Sequence, residues 1–263
     1  MIIPFAKYHG TGNDFILIDN RSTAYRLSPN EIQKMCHRRF GIGADGLMLL
    51  NDRNGYDFEM LYHNADGYPG SMCGNGGRCI VTFAFHLGIV RDRCRFLAVD
   101  GVHEAEIVEA SSEQAAVRLK LKDVSGIETR QESYFLDTGS DHYVAFVRKI
   151  DRFDVFNEGK KIRYHERFAP KGTNVNFVEI FDDHIFVRTY ERGVEDETYS
   201  CGTGSVASAL ATSLHTGNST GICNVKTLGG DLKVHSERRG DDFEKIWLEG
   251  PAALAFRGEI EMS

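Results

Sequence analysis

The chain offers little that would mark it for export, a membrane, nucleic acid or a metal. Its 31 Lys and Arg against 38 Asp and Glu leave a net charge of -7, without the basic excess that counterion-driven nucleic-acid binding needs. DNA, RNA and anionic membrane surfaces are therefore poor partners. No run of 18 uninterrupted apolar residues occurs, and the start Met1-Ile2-Ile3-Pro4-Phe5-Ala6-Lys7 has no basic stretch followed by a long apolar one. A soluble, cytoplasmic protein is expected. With no export signal, a disulfide framework is not expected from the six cysteines, and the nearest two, Cys73 and Cys79, lack the close C-x2-C spacing of zinc sites. What remains is ordinary globular composition, 41% hydrophobic and 26% charged, with 27 Gly and only 5 Pro over 263 residues. That length suits one large domain or two of roughly 130 residues.

An internal repeat decides for two. Tyr62-His63-Asn64-Ala65-Asp66-Gly67-Tyr68-Pro69-Gly70-Ser71-Met72-Cys73-Gly74-Asn75-Gly76 aligns without a gap to Tyr190-Glu191-Arg192-Gly193-Val194-Glu195-Asp196-Glu197-Thr198-Tyr199-Ser200-Cys201-Gly202-Thr203-Gly204. In each, a strand-like run ends in Tyr, a Cys follows 11 positions on, and Cys-Gly-x-Gly opens a helical segment. Cys73 and Cys201 are 128 residues apart, about half of 263, the spacing of two homologous halves. The expected halves are 1–118, carrying Cys73, and 119–263, carrying Cys201, with the last strand around Ala253–Phe256 able to return to the first half.

The segments after the two cysteines, Gly77–Leu87 before Gly88 and Ser205–His215 before Gly217, read as helices apolar or small nearly all round, hence buried. Around them lie short, often alternating β-rich runs: 15–18, 58–62, 116–121, 143–147, 176–180, 184–188, 231–235 and 245–249. One surface helix starts at the capping box Ser28-Pro29-Asn30-Glu31 and is expected to stop near Gly41. The fold class is α/β (α+β): two pseudo-symmetric halves, each a curved mixed sheet or barrel wrapped round a central helix that starts at a cysteine.

That placement has chemical consequences. A cysteine at a helix N-terminus faces unpaired N–H groups and the positive end of the helix dipole, which favour its thiolate. The glycines after it let backbone approach a ligand closely, and the free N–H groups can hold a carboxylate. Two such cysteines, one on each side of a substrate α-carbon, could remove a proton from one face and return one to the other, inverting the centre.

His9-Gly10-Thr11-Gly12-Asn13-Asp14-Phe15, Gly41-Ile42-Gly43-Ala44-Asp45-Gly46, Asn64-Ala65-Asp66-Gly67, Cys73-Gly74-Asn75-Gly76-Gly77-Arg78-Cys79, Tyr190-Glu191-Arg192-Gly193 and Glu197-Thr198-Tyr199-Ser200-Cys201-Gly202-Thr203-Gly204 closely resemble the diaminopimelate epimerases, in order and spacing, from about residue 5 onward. The resemblance implies a cofactor-independent isomerase that interconverts LL- and meso-diaminopimelate for lysine and peptidoglycan precursors, with neither pyridoxal phosphate nor metal. It implies Cys73 and Cys201 as the acid/base pair. The N–H groups of Gly74, Asn75, Gly202 and Thr203 would hold the reacting carboxylate, while Asn13, Asn64, Asn174, Glu191 and Arg192 fall where the family binds substrate. The assembly stays open, a homodimer included.

The chain departs from the family pattern at Asp137-Thr138-Gly139-Ser140-Asp141-His142, where many members carry Gly-Asn-Pro-His. Ser140 replaces the substrate-contacting Asn, Asp141 the Pro, and His142 is retained, as a helper of one cysteine or as a loop-orienting residue. Gly46 stands where some members have Gln. The other cysteines, Cys36, Cys79, Cys94 and Cys223, read as core residues, and Asp14, Asp45 and Asp66 as turn formers. The charged stretch 237–242 reads as a solvated hairpin tip. Two other functions remain open at this point: a racemase for another amino acid such as proline or hydroxyproline, and a dithiol redox sensor built on Cys73 and Cys201.

Overall fold

The computed structural model describes residues 1–22, 25–70, 72–218 and 220–262 of the chain. It divides into two compact units, Met1–Leu119 with Gly250–Ser263, and Lys120–Glu249. Ser71, inside the first copy of the repeat, lies outside the described residues.

Unit one contains β1 (Ile2–Gly10), β2 (Asn13–Asp19), α1 (Pro29–Cys36), β3 (Gly46–Asn51), β4 (Phe58–Asn64), α2 (Gly74–His86), β5 (Arg93–Ala98), β6 (Gly101–Ala110) and β7 (Gln114–Lys120, whose last residue counts with the second unit). Neighbouring strands pair in chain order. Two pairs, β2 with β3 and β4 with β5, are parallel, and a helix crosses over within each. The closing strand comes from the other end of the sequence. Residues 250–253 pair antiparallel with β7, and residues 253–261 pair antiparallel with β1, so the sheet joins on itself. A sheet without free edges encloses α2, whose residues from Gly74 to Ala84 are all buried.

Unit two contains β8 (Glu128–Arg130), β9 (Ser133–Asp137), β10 (Asp141–Phe146), α3 (Val155–Arg163), β11 (Asn174–Ile180), β12 (Ile185–Glu191), β13 (Asp196–Thr198), α4 (Gly202–Thr216), β14 (Ile222–Thr227) and β15 (Gly230–Arg239). The long last strand β16 (Asp242–Glu261) gives it residues 242–249, paired with β15. Its topology repeats that of unit one. β10 and β11 are parallel across α3, β12 and β14 are parallel across α4, and antiparallel hairpins fill the rest. Helix α4 carries Val206, Ala207 and Leu210 into a core shared with Val144, Val178, Val187, Leu232 and Ile246. Its buried hydroxyls do not go unsatisfied: Ser205, Ser208 and Thr212 each donate to the carbonyl four residues back, at 2.9, 2.7 and 2.7 Å.

Three local expectations need adjusting. Helix α1 has its capping box at Ser28 and Glu31 but ends at Cys36 rather than near Gly41, because His37 turns extended and the N–H groups of Ile42 and Gly43 fold back onto the Met35 carbonyl. The two buried helices begin earlier than the apolar pattern shows, at Gly74 and Gly202, directly after their cysteines. Helix α3, Val155–Arg163, has no counterpart among the expected elements.

Candidate active site

Each cysteine is the N-cap of its buried helix. Cys73 has φ -103° and ψ 135°, and Cys201 has φ -108° and ψ 116°, so extended chain turns into helix at the sulfur-bearing residue in both units. Glycine three residues after each cysteine permits close packing on the sheet. A Cβ at Gly76 would lie 2.3 Å from Met48 Cε, and one at Gly204 would lie 2.3 Å from Asn176 Oδ1.

In unit one, Asn13 sits at the centre of a polar cluster. Its Oδ1 accepts from the Cys73 thiol at 3.6 Å and from Asn75 Nδ2 at 3.3 Å, while its Nδ2 donates to Asp45 Oδ2 at 2.6 Å. A carboxylate only accepts, so Asp45 fixes which way the Asn13 amide faces. Asp45 is held in turn by Arg38 at 2.6 Å, and Arg38 also grips Asp14, which pairs with buried Lys7 at 2.7 Å. Burial pushes the Asp14 carboxyl up, but hydrogen bonds from Arg38 and Lys7 and their charges outweigh it and hold it down to about 2. Behind the cluster lies Arg78, fully buried in α2. It donates to Asn75 Oδ1 at 2.9 Å, Thr11 Oγ1 at 3.3 Å, and the carbonyls of Gly74 at 3.3 Å and Pro251 at 3.4 Å. Asn13, Cys73, Gly74 and Asn75 thus gather at one helix terminus. Asn64 is exposed at the end of β4, where its N–H donates to the Tyr68 carbonyl at 2.9 Å. At Gly46 a side chain would not fit, since its Cβ would fall 2.5 Å from the Tyr62 ring and 2.6 Å from the His63 carbonyl.

In unit two the sulfur meets donors. Cys201 Sγ accepts the Gly204 N–H at 3.4 Å and lies 3.5 Å from Thr203 Oγ1. Thr203 Oγ1 is 3.0 Å from His142 Nε2, and Ser140 Oγ is 3.0 Å from the same nitrogen. On the far side of the ring, Asn176 Nδ2 donates to His142 Nδ1 at 3.1 Å and to the Tyr143 carbonyl at 3.1 Å, which leaves Nδ1 without a proton in the neutral ring and puts the hydrogen on Nε2. Burial, reinforced by the Arg192 charge, takes the His142 pKa down to about 3 against the opposing pull of Asp137. A histidine held neutral in this way orients hydroxyls and takes up no proton at neutral pH.

The remaining candidates complete the same network. Asn174 Nδ2 donates to Ser140 Oγ at 3.2 Å and to the Asp141 carbonyl at 3.0 Å, and its Oδ1 accepts the Arg192 N–H at 2.9 Å. Arg192 Nη1 donates to the Gly172 carbonyl at 3.1 Å. Glu191 closes β12 immediately before it. Ser140, which replaces an Asn of the family pattern, is spent on His142, Thr203 and Asn174. Arg78, Asp45, Arg38 and Asn176 act as positioning residues that their local sequence does not single out. A charged residue in an all-round apolar helix, and an Asn inside the apolar run Asn174-Val175-Asn176-Phe177-Val178, were the available signals.

Of the other cysteines, Cys36, Cys79 and Cys94 are core residues as expected, whereas Cys223 is half-buried on β14 and packs against the edge of the second unit's core. Burial pushes the Cys36 and Cys94 thiols up to about 12 and the half-buried Cys223 up to about 11, and raises Cys79 as well. Among the described residues, no three His, Cys, Asp or Glu side chains are placed to share a metal ion, and no helix is long and apolar enough to cross a membrane.

Comparison with known proteins places these sites in context. Residues 5–121 and 134–254 match the family described as diaminopimelate epimerase. The diaminopimelate epimerase of Flavobacterium psychrophilum is 45% identical over 97% of this chain and 98% of its own length. That of Chlorobaculum tepidum is 46% identical over 96% and 99%. Among solved structures, a PhzF-family phenazine biosynthesis protein from Bacillus anthracis superposes with a TM-score of 0.77 at 13% identity, covering 100% of both chains. A hydroxyproline epimerase from Agrobacterium vitis gives 0.71 at 12% identity over 98% of this chain and 92% of that one, so these likenesses establish the fold.

Proposed function

The chain belongs to the diaminopimelate epimerase family, an isomerase family, and from that premise we propose that Cys73 and Cys201 are a thiol and thiolate pair that inverts one α-carbon of diaminopimelate. The observation that carries this reading is that both cysteines occupy the N-cap of matched buried helices. The reaction requires the two sulfurs to reach one α-carbon from opposite faces. One thiolate removes the α-proton and becomes a thiol; the electron pair spreads into the neighbouring carboxylate. The other thiol then delivers its proton to the opposite face and becomes a thiolate. Proton count and charge are conserved, and reversal exchanges the two roles.

An amino acid's α-proton is weakly acidic, so the carboxylate must be stabilised as charge moves into it. The backbone N–H groups of Gly74, Asn75, Gly202 and Thr203, in the first turns of α2 and α4, are suited to that. Asn13 and Asn75 bring amides to the Cys73 end, while Thr203, backed by neutral His142, brings a hydroxyl to Cys201. Asn64, Asn174, Glu191 and Arg192 serve substrate binding in this reading, with Ser140 holding the Asn174 amide and Arg192 suited to a carboxylate at the distal end. Closure on the substrate, exclusion of water and a cytoplasmic setting accord with this chemistry.

The test is direct. Incubation in D2O with LL-diaminopimelate under reducing conditions and without added cofactor should show α-proton exchange together with a change in optical rotation. Absence of exchange would remove the proposal. Proline, which has no second polar end to engage Arg192, should exchange far more slowly.

A further inference from the structure

Arg78 is fully buried, and every partner of its guanidinium among the described residues is neutral: the Pro251 and Gly74 carbonyls, Thr11 Oγ1 and Asn75 Oδ1. A buried charge met only by neutral acceptors is costly, and it acts on any anion that forms beside it. Helical side chains lean toward the N-terminus, so Arg78, five residues after Cys73, reaches back over the first turn of α2 to Gly74 and Asn75. The other ionisable groups on the surrounding elements are engaged or neutral. Asp14 of β2 is paired with Lys7 of β1 and with Arg38, and Asp45 with Arg38. Tyr8 of β1 turns to His86 at the other end of α2, at 2.7 Å, while His9 is exposed and β3 carries no ionisable residue. On β4, burial pushes the His63 pKa down, and on α2 it pushes the Cys79 thiol well up. The repeat breaks its own symmetry here. Five residues after Cys201 stands Val206, within the apolar core of the second unit.

We propose that Arg78 is a positioning residue whose buried charge favours the Cys73 thiolate, and that the two cysteines therefore work in unequal fields. This rests on the two-cysteine reading above and deepens it. The placed donors of Arg78 are spent on protein oxygens, so it acts through the sulfur rather than on the substrate. Burial lowers the Arg78 pKa, and negative charge on Cys79 or Cys73 pulls it back, an attraction that works equally in the other direction. Asn13 Oδ1, an acceptor 3.6 Å from the Cys73 sulfur, favours the thiol instead. The two neighbours pull opposite ways, which suits a group that must both give up and take back a proton.

The test reads the thiol rather than turnover. Alkylation of Cys73 by iodoacetamide, which attacks the thiolate, is followed against pH by mass spectrometry of the peptide that carries it, in wild type, Arg78→Gln and Arg78→Lys. In Arg78→Gln the midpoint should rise by about one pH unit, which makes alkylation below the midpoint roughly tenfold slower. Arg78→Lys restores the charge without the planar fork and should recover most of that loss. Cys201, read from its own peptide in the same samples, should move far less. An unchanged Cys73 midpoint in folded Arg78→Gln would overturn the role of Arg78 and leave the two-cysteine reading standing. An equal rise in Arg78→Lys would also overturn it, since hydrogen bonding rather than charge would then set the sulfur. If Arg78→Gln does not fold, the wild-type protein decides: the Arg78 Nε resonance should titrate with the Cys73 midpoint and lie flat in Cys73→Ser, and a flat resonance in wild type would refute the coupling. Wild-type enzyme that shows the coupling but fails to epimerise diaminopimelate would remove the proposed function and keep the assignment of Arg78.

Discussion

His142 is the residue whose neighbours leave it least choice. Asn176 donates to one ring nitrogen, hydroxyls of Ser140 and Thr203 crowd the other, and burial takes its pKa down to about 3. In the unfolded chain the same ring titrates near its ordinary 6.5. The folded pKa is therefore depressed, the unfolded state binds the extra proton below 6.5, and stability must fall as pH drops from there toward 3. At pH 5 the loss attributable to this one group should be about 2 kcal/mol. Urea titrations at pH 7 and pH 5 check it: the difference in unfolding free energy should shrink in His142→Gln, and an equal difference in both proteins would refute the assignment. The cysteines allow a second prediction at this scale. Cys73→Ala and Cys201→Ala should each lose epimerisation by orders of magnitude, since a two-base inversion has no substitute for either sulfur. Cys36→Ala, at a thiol that burial raises to about 12, should keep most of it. Full activity in Cys201→Ala would end the two-base account.

At the level of the helix, matched positions of the repeat are not matched in cost. Adding a methyl to Gly76 brings it to 2.3 Å from Met48 Cε, the far end of a flexible side chain that can swing away. Adding one to Gly204 brings it equally close to Asn176 Oδ1, an atom pinned by Thr189 at 2.9 Å in the network that orients His142. Gly204→Ala should therefore cost roughly 1–3 kcal/mol, more than the intrinsic helix preference for Ala returns, and should lower kcat as well. Gly76→Ala should cost less; thermal melts of the two variants decide the order. The same repeat shows what was legible in the sequence. Cysteine-glycine spacing, alternating strands and the Ser28 capping box were readable because local chemistry dictates them. Helix α3 was not seen, although it stands where α1 stands in the first unit and begins with Asp154 as its cap, accepting the Asn157 N–H. Its apolar residues are few, with Val155 and Gly159 buried, so periodicity gave no signal. The positioning roles of Arg78, Asp45 and Asn176 were beyond reach for another reason: they depend on residues brought together by tertiary folding.

For the whole chain, the consequential feature is that the first unit is finished by the last residues of the sequence. Residues 250–253 lie against β7 and residues 253–261 against β1, so the strand that joins the first sheet on itself arrives only after the whole second unit has been made. Such long-range pairing is slow to form and leaves β1 and β7 as open edges until it does. Pro251, within this strand, also supplies a carbonyl to the buried Arg78 guanidinium, so closure reaches the helix that carries Cys73. Ala252, fully buried and paired with Ala115, is the point at which to test this. Ala252→Asp buries a charge with no partner, a change that costs several kcal/mol in known cases. Hydrogen exchange should then speed up in β1, β7 and α2, while β11 and β12, which belong to a unit with its own core, keep their protection. Epimerisation should fall with the loss of order around Cys73, before the Cys201 unit unfolds. Uniform loss of protection across both units would instead show that the chain unfolds as one cooperative body, and that the closing strand matters no more to one sheet than to the other.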